Sequence, residues 1–178
     1  KIKTIPFSKN TFPMFVKPKK GAASKNNFKI INKDHYKYFF KKINEKKFIK
    51  QKFIKGLEYT VDAYVSKDRK FIGAVPRIRY NISDGESTTS IVVKDLQIIE
   101  FSKNILKKFN LLGPITLQFI KKNKQLYFLE INPRFGGGVI ASIEAGFDIP
   151  KIMIMDYLDI PYKNLSNYKE LIMTRSYR

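Results

Sequence analysis

From Glu58 to Val65 the chain alternates without a break: Glu58, Thr60 and Asp62 fall on one side, and Tyr59, Val61, Ala63 and Val65 on the other. Period two predicts a strand with one face in a core and the other on a polar surface or cleft. Phe71–Tyr80 continues as a strand after a turn at 67–69 and places Arg77 and Arg79 on one side. Leu126–Ile131, apolar and rich in aromatics, reads as a buried strand, joined to Ile115–Ile120 in a hairpin around Lys122–Gln125. Nearer the start, Met14–Val16, Phe28–Ile31 and Phe48–Ile54 are short strand patterns, with Phe28–Ile31 as the returning arm of a hairpin.

Helical spacing recurs between them. Tyr36, Phe39, Phe40 and Ile43 form a stripe in Lys33–Asn44, with Asn32 or Asp34 available as cap. Asp95 can cap a helix through about Phe109, whose apolar stripe is Ile98, Ile99, Ile105, Leu106 and Phe109, and Gly113-Pro114 is expected to stop it. Val139–Gly146 and Pro150–Leu158 are short helices, the second with proline at its start. Asn81–Ser90, polar around Gly85, is predicted to be an exposed loop, 1–12 an irregular lead-in, and Leu171–Met173 a further strand.

The densest chemistry lies at Leu126–Gly138, where a strand delivers Glu130, Asn132 and Arg134 at alternate positions and then breaks on Pro133 and three glycines. Alternation puts the three on one face. A carboxylate and an amide are hard oxygen ligands for Mg²⁺, and a guanidinium is a planar fork for phosphoryl oxygens. If residue numbers across the hairpin sum to 248, Gln118 stands opposite Glu130 with Cβ atoms roughly 5 Å apart, which suits two ligands of one ion. The alternative is a polar strand end facing water, with Arg134 paired to Glu130.

Lys17 precedes the small residues Gly21, Ala22, Ala23 and Ser24. A loop without bulky side chains can bring backbone N–H groups against phosphate while the lysine adds a point charge; an ordinary basic turn is the competing reading. Gln51, Lys52 and Phe53 could present backbone groups to a purine base, with Glu58 beyond them for ribose hydroxyls. Arg77, Arg79 and the Asn81–Ser90 loop are candidates for phosphate or carboxylate, unless the arginines only line an exposed strand face. Arg134, Gly136 and Gly137 could hold an anion at the start of the Val139 helix.

Composition narrows the chemistry. The 178 residues suffice for one domain or two lobes. Zero cysteines exclude disulfides and thiolate catalysis, and one histidine, His35 in a polar helix start, leaves no basis for a histidine triad or zinc cluster. No apolar run reaches the roughly 18 residues of a membrane span and no signal peptide is visible, so a soluble, cytoplasmic protein without membrane association is expected. The charge of +20 is lopsided: residues 1–55 hold 17 Lys and two acids, 17 − 2 = +15, against 18 − 13 = +5 for residues 56–178. However, 90 of the 178 residues are Lys, Ile, Asn, Phe or Tyr, whose codons are rich in A and T. Lysine excess of that origin is weak support for a nucleic-acid partner.

The order of these parts resembles the ATP-grasp superfamily: Lys17 with its small-residue loop, then Gln51–Asp62, Gly113–Phe119, and Glu-Ile-Asn-Pro-Arg-Phe-Gly-Gly-Gly at Glu130–Gly138. The likeness is strongest to the branch of carbamoyl-phosphate synthase large subunits and carboxylate–amine ligases. It runs from about Phe15 to Leu158. The resemblance implies an α+β fold of two lobes, residues 1–54 and 55–178, clasping ATP between antiparallel sheets. It implies Lys17 on phosphate beneath the Gly21–Ser24 loop, adenine near Lys52–Phe53, Glu58 on ribose, Mg²⁺ or Mn²⁺ on Gln118, Glu130 and Asn132, and Arg134 on the transferring phosphoryl group. The implied activity is ligation of a small-molecule carboxylate to an amine through an acylphosphate.

Gln118 stands where many relatives have a carboxylate, although carbamoyl-phosphate synthase-like members also use glutamine, and Gln51 replaces a more usual acid. An N-terminal domain typical of relatives has no room in 1–16, so this is expected to be the ATP-grasp portion of a larger polypeptide. Two rival functions remain at this level. One is a nucleotide-binding module without ligase activity; the other is a basic nucleic-acid-binding domain, which gives no reason for Gln118, Glu130 and Asn132 to converge.

Overall fold

The computed structural model describes residues 11–20, 26–83, 86–162 and 167–175. The chain divides into two compact units, 1–55 and 56–178.

In the first unit β1 (Met14–Pro18) is the central strand of an antiparallel sheet of order β2-β1-β3, flanked by β2 (Phe28–Ile30) and β3 (Phe48–Lys52). α1 (Lys33–Lys41) begins at Asn32, whose Oδ1 accepts the His35 N–H at 2.8 Å. Three residues of its stripe pack as the spacing predicts, Tyr36, Phe39 and Phe40 joining Phe12 and Phe48 on the buried Met14, Val16 and Ile30, whereas Ile43 lies beyond the end of the helix and is exposed. Edge-on and tilted ring contacts, such as Phe39–Phe40 at 4.9 Å, hold this small core. A short 3₁₀ turn, Glu45–Lys47, leads into β3, and Glu45 pairs with Lys50.

The second unit is a six-stranded antiparallel sheet of order β8-β7-β4-β5-β6-β9. Its strands are β4 (Leu57–Val65), β5 (Phe71–Ser83), β6 (Glu86–Val92), β7 (Gly113–Lys122), β8 (Gln125–Asn132) and β9 (Leu171–Thr174). One face is wholly apolar at its centre, with Val61, Ala63, Ala74, Ile115, Leu117 and Phe119 buried. α2 (Leu96–Phe109), capped by Asp95, buries Ile98, Ile105 and Leu106 and sets Phe101 against Phe119 at 5.7 Å. Asn110, left-handed at φ 52°, ends that helix before Gly113 is reached, because asparagine tolerates the αL cap.

On the other face Tyr64, Val75 and Val92 are covered by α3 (Val139–Glu144) and α4 (Ile149–Tyr157), through Ala141, Ala145, Phe147, Ile149 and Ile152. The rest of that face is polar.

The expectation of a loop over Asn81–Ser90 is corrected. Both flanks continue the β5–β6 ladder, with Asn81 paired to Thr89 and Arg79 to Ser90. The polar run misled because its inward residues are small hydroxyls satisfied inside the protein: Ser90 is fully buried and donates to Ser87 Oγ at 3.1 Å, and Ser87 donates to the Thr89 carbonyl at 2.7 Å. Among the described residues no helix is long and apolar enough to cross a membrane.

α4 is pinned by one buried carboxylate. Asp156 accepts hydrogen bonds from Tyr64 Oη at 2.8 Å, from the Lys67 backbone N–H at 2.8 Å and from Tyr162 Oη at 3.4 Å. Burial, then the bond to Asp156, pushes the Tyr64 phenol well above its ordinary 10.0. Burial, with Glu170 and Asp95 nearby, pushes Tyr168 up to about 12. The folded state therefore keeps protons that unfolded tyrosines release above pH 10, so this stabilisation is complete below that pH and is lost as pH rises toward 12. Urea unfolding followed from pH 8 upward should show a declining midpoint above pH 10. Tyr64→Phe should flatten the decline and cost about 1–3 kcal/mol at neutral pH, because Asp156 loses a buried donor.

Candidate functional site

The polar face of the second unit is built by register. Thr60 of β4 pairs with Gln118 of β7, Gln118 with Glu130 of β8, and Thr116 with Asn132, so the oxygen-bearing residues occupy neighbouring positions on adjacent strands. A bulge between Gln118 and Phe119 shifts the remainder of the β7–β8 hairpin, while the Gln118–Glu130 pairing keeps the predicted register. Asn132 Nδ2 donates to Glu130 Oε1 at 3.1 Å, and Gln118, Glu130 and Asn132 are all half-buried.

This set fits a hard divalent cation in kind: one carboxylate and two amides supply oxygen, with no nitrogen or sulfur donor to favour a softer metal. Among the described residues no group of three or more His, Cys, Asp or Glu side chains gathers. One carboxylate cannot neutralise Mg²⁺ alone, so the donor set suits an ion that arrives with an anionic phosphate chain.

Beyond Asn132 the chain turns tightly. The Arg134 N–H donates to the Asn132 carbonyl at 2.8 Å, Thr116 Oγ1 donates to the Arg134 carbonyl at 2.9 Å, and the exposed Arg134 guanidinium donates through Nη1 to the Phe135 carbonyl at 2.9 Å. Arg134 is not drawn to Glu130 by any ion pair between described residues. Gly137 accepts a hydrogen bond from Arg175 Nη2 through its carbonyl.

Arg77 sits where the sequence did not put it. Instead of offering a cation to a ligand, it is 2% exposed and forks onto Asp62, Nε to Oδ2 at 2.7 Å and Nη2 to Oδ1 at 3.2 Å. Nη1 reaches Ser90 Oγ at 3.3 Å, and Ser142 of α3 donates to Asp62 Oδ2 at 2.6 Å. The expectation of Arg77 as a substrate contact is therefore corrected: parity put it on the right face, but α3 and the glycine segment cover it. Arg79 remains nearer the surface and donates to Glu58 Oε2 at 3.0 Å across the β4–β5 ladder. Glu58, expected on ribose, thus lies beside a fixed cation.

In the first unit Lys17 is half-buried on β1 opposite Ile49. Gln51 pairs with Phe15 and Lys52 with Met14, while the Phe53 N–H is spent on the Pro13 carbonyl at 3.1 Å. Lys29 lies 4.4 Å from the Phe53 ring centre. Gly21, Ala22 and Ser24 fall outside the described residues.

Sequence reasoning missed Thr116, Ser142 and Ser90 as parts of this face. The signal for Asp62 was its parity with Glu58 and Thr60, but its partner could be read only from the β4–β5 register.

A three-stranded sheet with one covering helix, then a six-stranded antiparallel sheet carrying a Gln-Glu-Asn cluster before Pro-Arg and a glycine run, is the ATP-grasp fold. Residues 44–176 match the family model described as ATP-grasp in the biosynthetic pathway with Ter operon, and the chain belongs to that family. It is similar to the D-alanine–D-alanine ligase of Petrotoga mobilis, 28% identical over an alignment of 140 residues, with coverage of 68% of this chain and 46% of the ligase. It is also similar to the carbamoyl phosphate synthase large chain of a Thermoanaerobacter species, 28% identical over an alignment of 159 residues, with coverage of 82% of this chain and 15% of that subunit. Among solved structures, the biotin carboxylase–beta-gamma-ATP complex from Campylobacter jejuni superposes with a TM-score of 0.74 at 17% identity, covering 92% of this chain and 42% of that one. N5-carboxyaminoimidazole synthetase of Staphylococcus aureus with ADP gives 0.71 at 21% identity, covering 92% and 46%. The chain therefore spans less than half the length of these relatives.

The buried pair sets a stability expectation. Arg77→Met should cost about 3–5 kcal/mol, because it strands the Asp62 carboxylate in a dry site. A shift of the urea midpoint with unchanged denaturant dependence would report that loss.

Proposed function

We propose that this chain is the Mg-ATP-dependent domain of a ligase that activates a small-molecule carboxylate as an acylphosphate for attack by an amine or similar nucleophile. The observation that carries the reading is the convergence of Gln118, Glu130 and Asn132 on one edge of the sheet, followed within two residues by Arg134. The similarity to a D-alanine–D-alanine ligase supports it, as do related folds holding ADP or Mg-ADP with bicarbonate.

Gln118, Glu130 and Asn132 would hold Mg²⁺ or Mn²⁺, which when bound neutralises phosphate charge. In the reaction proposed, a carboxylate oxygen attacks the γ-phosphorus and the bond to ADP breaks; the amine then attacks the acyl carbon and phosphate leaves. Arg134, permanently charged and exposed, is assigned to the transferring phosphoryl oxygens. Lys17, with the segment containing Gly21, Ala22 and Ser24, is assigned to the phosphate chain. Gln51, Lys52 and Phe53 are assigned to the base; since the Phe53 N–H is already engaged, its contribution there is the ring or carbonyl. Glu58 is assigned to ribose with Arg79 orienting it, and Gly136 and Gly137 to the anionic substrate. Work of this kind is positioning and charge compensation, which needs neither histidine nor cysteine.

Calorimetric titration of a non-hydrolysable ATP analogue with and without Mg²⁺ tests the reading. Wild type should bind in a magnesium-dependent manner. Glu130→Ala should weaken that binding by about tenfold or more, equivalent to about 1.4 kcal/mol. Binding indifferent to both magnesium and Glu130 would overturn the metal assignment, and no binding by the folded protein would overturn the nucleotide assignment.

A further inference from the structure

The most deeply buried charges of the second unit take no part in the chemistry just proposed, yet they lie directly beneath it. A Cβ added to Gly138 would lie 2.9 Å from Arg77 Cζ and closer still to Nη1, and one added to Gly136 would lie 3.0 Å from both Asp62 Oδ1 and Thr116 Oγ1. The two glycines thus lay bare backbone onto the two ends of the ion pair: a side chain at Gly138 would collide with the guanidinium, and one at Gly136 would require Asp62 and Thr116 to give by a few tenths of an ångström. Ser142, one turn into α3, closes the seat on Asp62 Oδ2.

The pair fixes more than packing requires. An apolar pair of similar volume would fill the same space without the desolvation cost of two charges. A forked guanidinium–carboxylate pair adds direction, because both partners have fixed planes and fixed donor positions. Arg77 faces Asp62 on one edge and Ser90 on another, so its plane is held from β4 and β6 together. The segment that rests on it carries Arg134, whose guanidinium is tied to the Phe135 carbonyl and whose own carbonyl is held by Thr116.

We infer that the Asp62–Arg77 pair is a positioning device: it seats Gly136 and Gly138, and through Phe135 sets where the Arg134 guanidinium stands. This rests on the reading that Arg134 grips the terminal phosphoryl group. Arg77, 2% exposed and committed to Asp62 and Ser90, is assigned no contact with nucleotide or substrate. Its effect is confined to the group that Arg134 holds, whereas Gln118 and Glu130 stand on β7 and β8 and keep the ion without it.

Two variants and two readouts test this. Arg77→Lys keeps the charge but loses the fork, and Gly138→Ala keeps the pair but lifts the segment off it. In the nucleotide-free protein, amide hydrogen exchange across 133–142 should accelerate by about tenfold in both variants while exchange across 113–132 stays as in wild type. In magnesium, both should lose about fivefold or more of the affinity for the non-hydrolysable ATP analogue while ADP affinity holds within about twofold, as Arg134→Ala should. Unchanged exchange across 133–142 in both variants overturns the inference, as does acceleration across 113–132 as large as that across 133–142 once the variants' shared loss of global stability, read from urea unfolding, is subtracted. Equal loss of ATP analogue and ADP also overturns it. If wild type binds neither nucleotide, the Mg-ATP reading fails separately, and the exchange pattern decides the seating of the segment by the same criterion.

Discussion

The register of the β7–β8 hairpin is the constraint on which the rest of the second unit depends. A slip of one residue would carry Glu130 and Asn132 to the opposite face, because side chains alternate with a period of two. What forbids the slip is the apolar face: Leu117 and Phe119 are fully buried, and Phe119 meets Phe101 of α2 and Phe128 of β8 at 5.7 Å each. The oxygen cluster is thus specified from behind, by aromatic packing on the opposite face of the sheet. The bulge after Gln118 lets the hairpin tighten toward its turn without disturbing the Gln118–Glu130 pair.

The polar face divides by depth. Under α3 and the glycine segment, Asp62 and Arg77 are sealed, and each polar atom finds a partner within the protein. Toward β8 the same face opens to half-buried Gln118, Glu130 and Asn132. Sealed charges must pair with one another, and half-exposed oxygens can exchange water for an ion. Two similar sets of residues are therefore suited to different roles by what covers them.

That difference explains which parts were legible in the sequence. Alternation in Glu58–Val65 and the break at Pro133 encode local geometry, so the faces of β4 and β8 and the opposition of Gln118 to Glu130 could be read directly. Asn32 and Asp95 declared their helices by cap chemistry that acts within three residues. Arg77 was placed on the correct face but given the wrong company, since its cover comes from residues some 60 positions later, at Gly138 and Ser142. Asn81–Ser90 failed for the related reason that serine hydroxyls look solvent-seeking until a neighbour satisfies them, as Ser87 does for Ser90.

The glycine run shows the same dependence on distant partners. Read locally, the glycines after Pro133 suggest a segment that holds an anion at the start of the Val139 helix. In the fold, Gly138 is demanded by contact with the buried Arg77 guanidinium and Gly136 sits tightly on Asp62 and Thr116, rather than either serving unusual dihedrals, and neither is at positive φ. Close approach to a rigid, charged surface restricts a glycine as firmly as a turn does, because backbone that rests on a guanidinium has no freedom to rearrange. A segment seated in that way can present Arg134 repeatedly at one position, as the charge compensation proposed for it would demand.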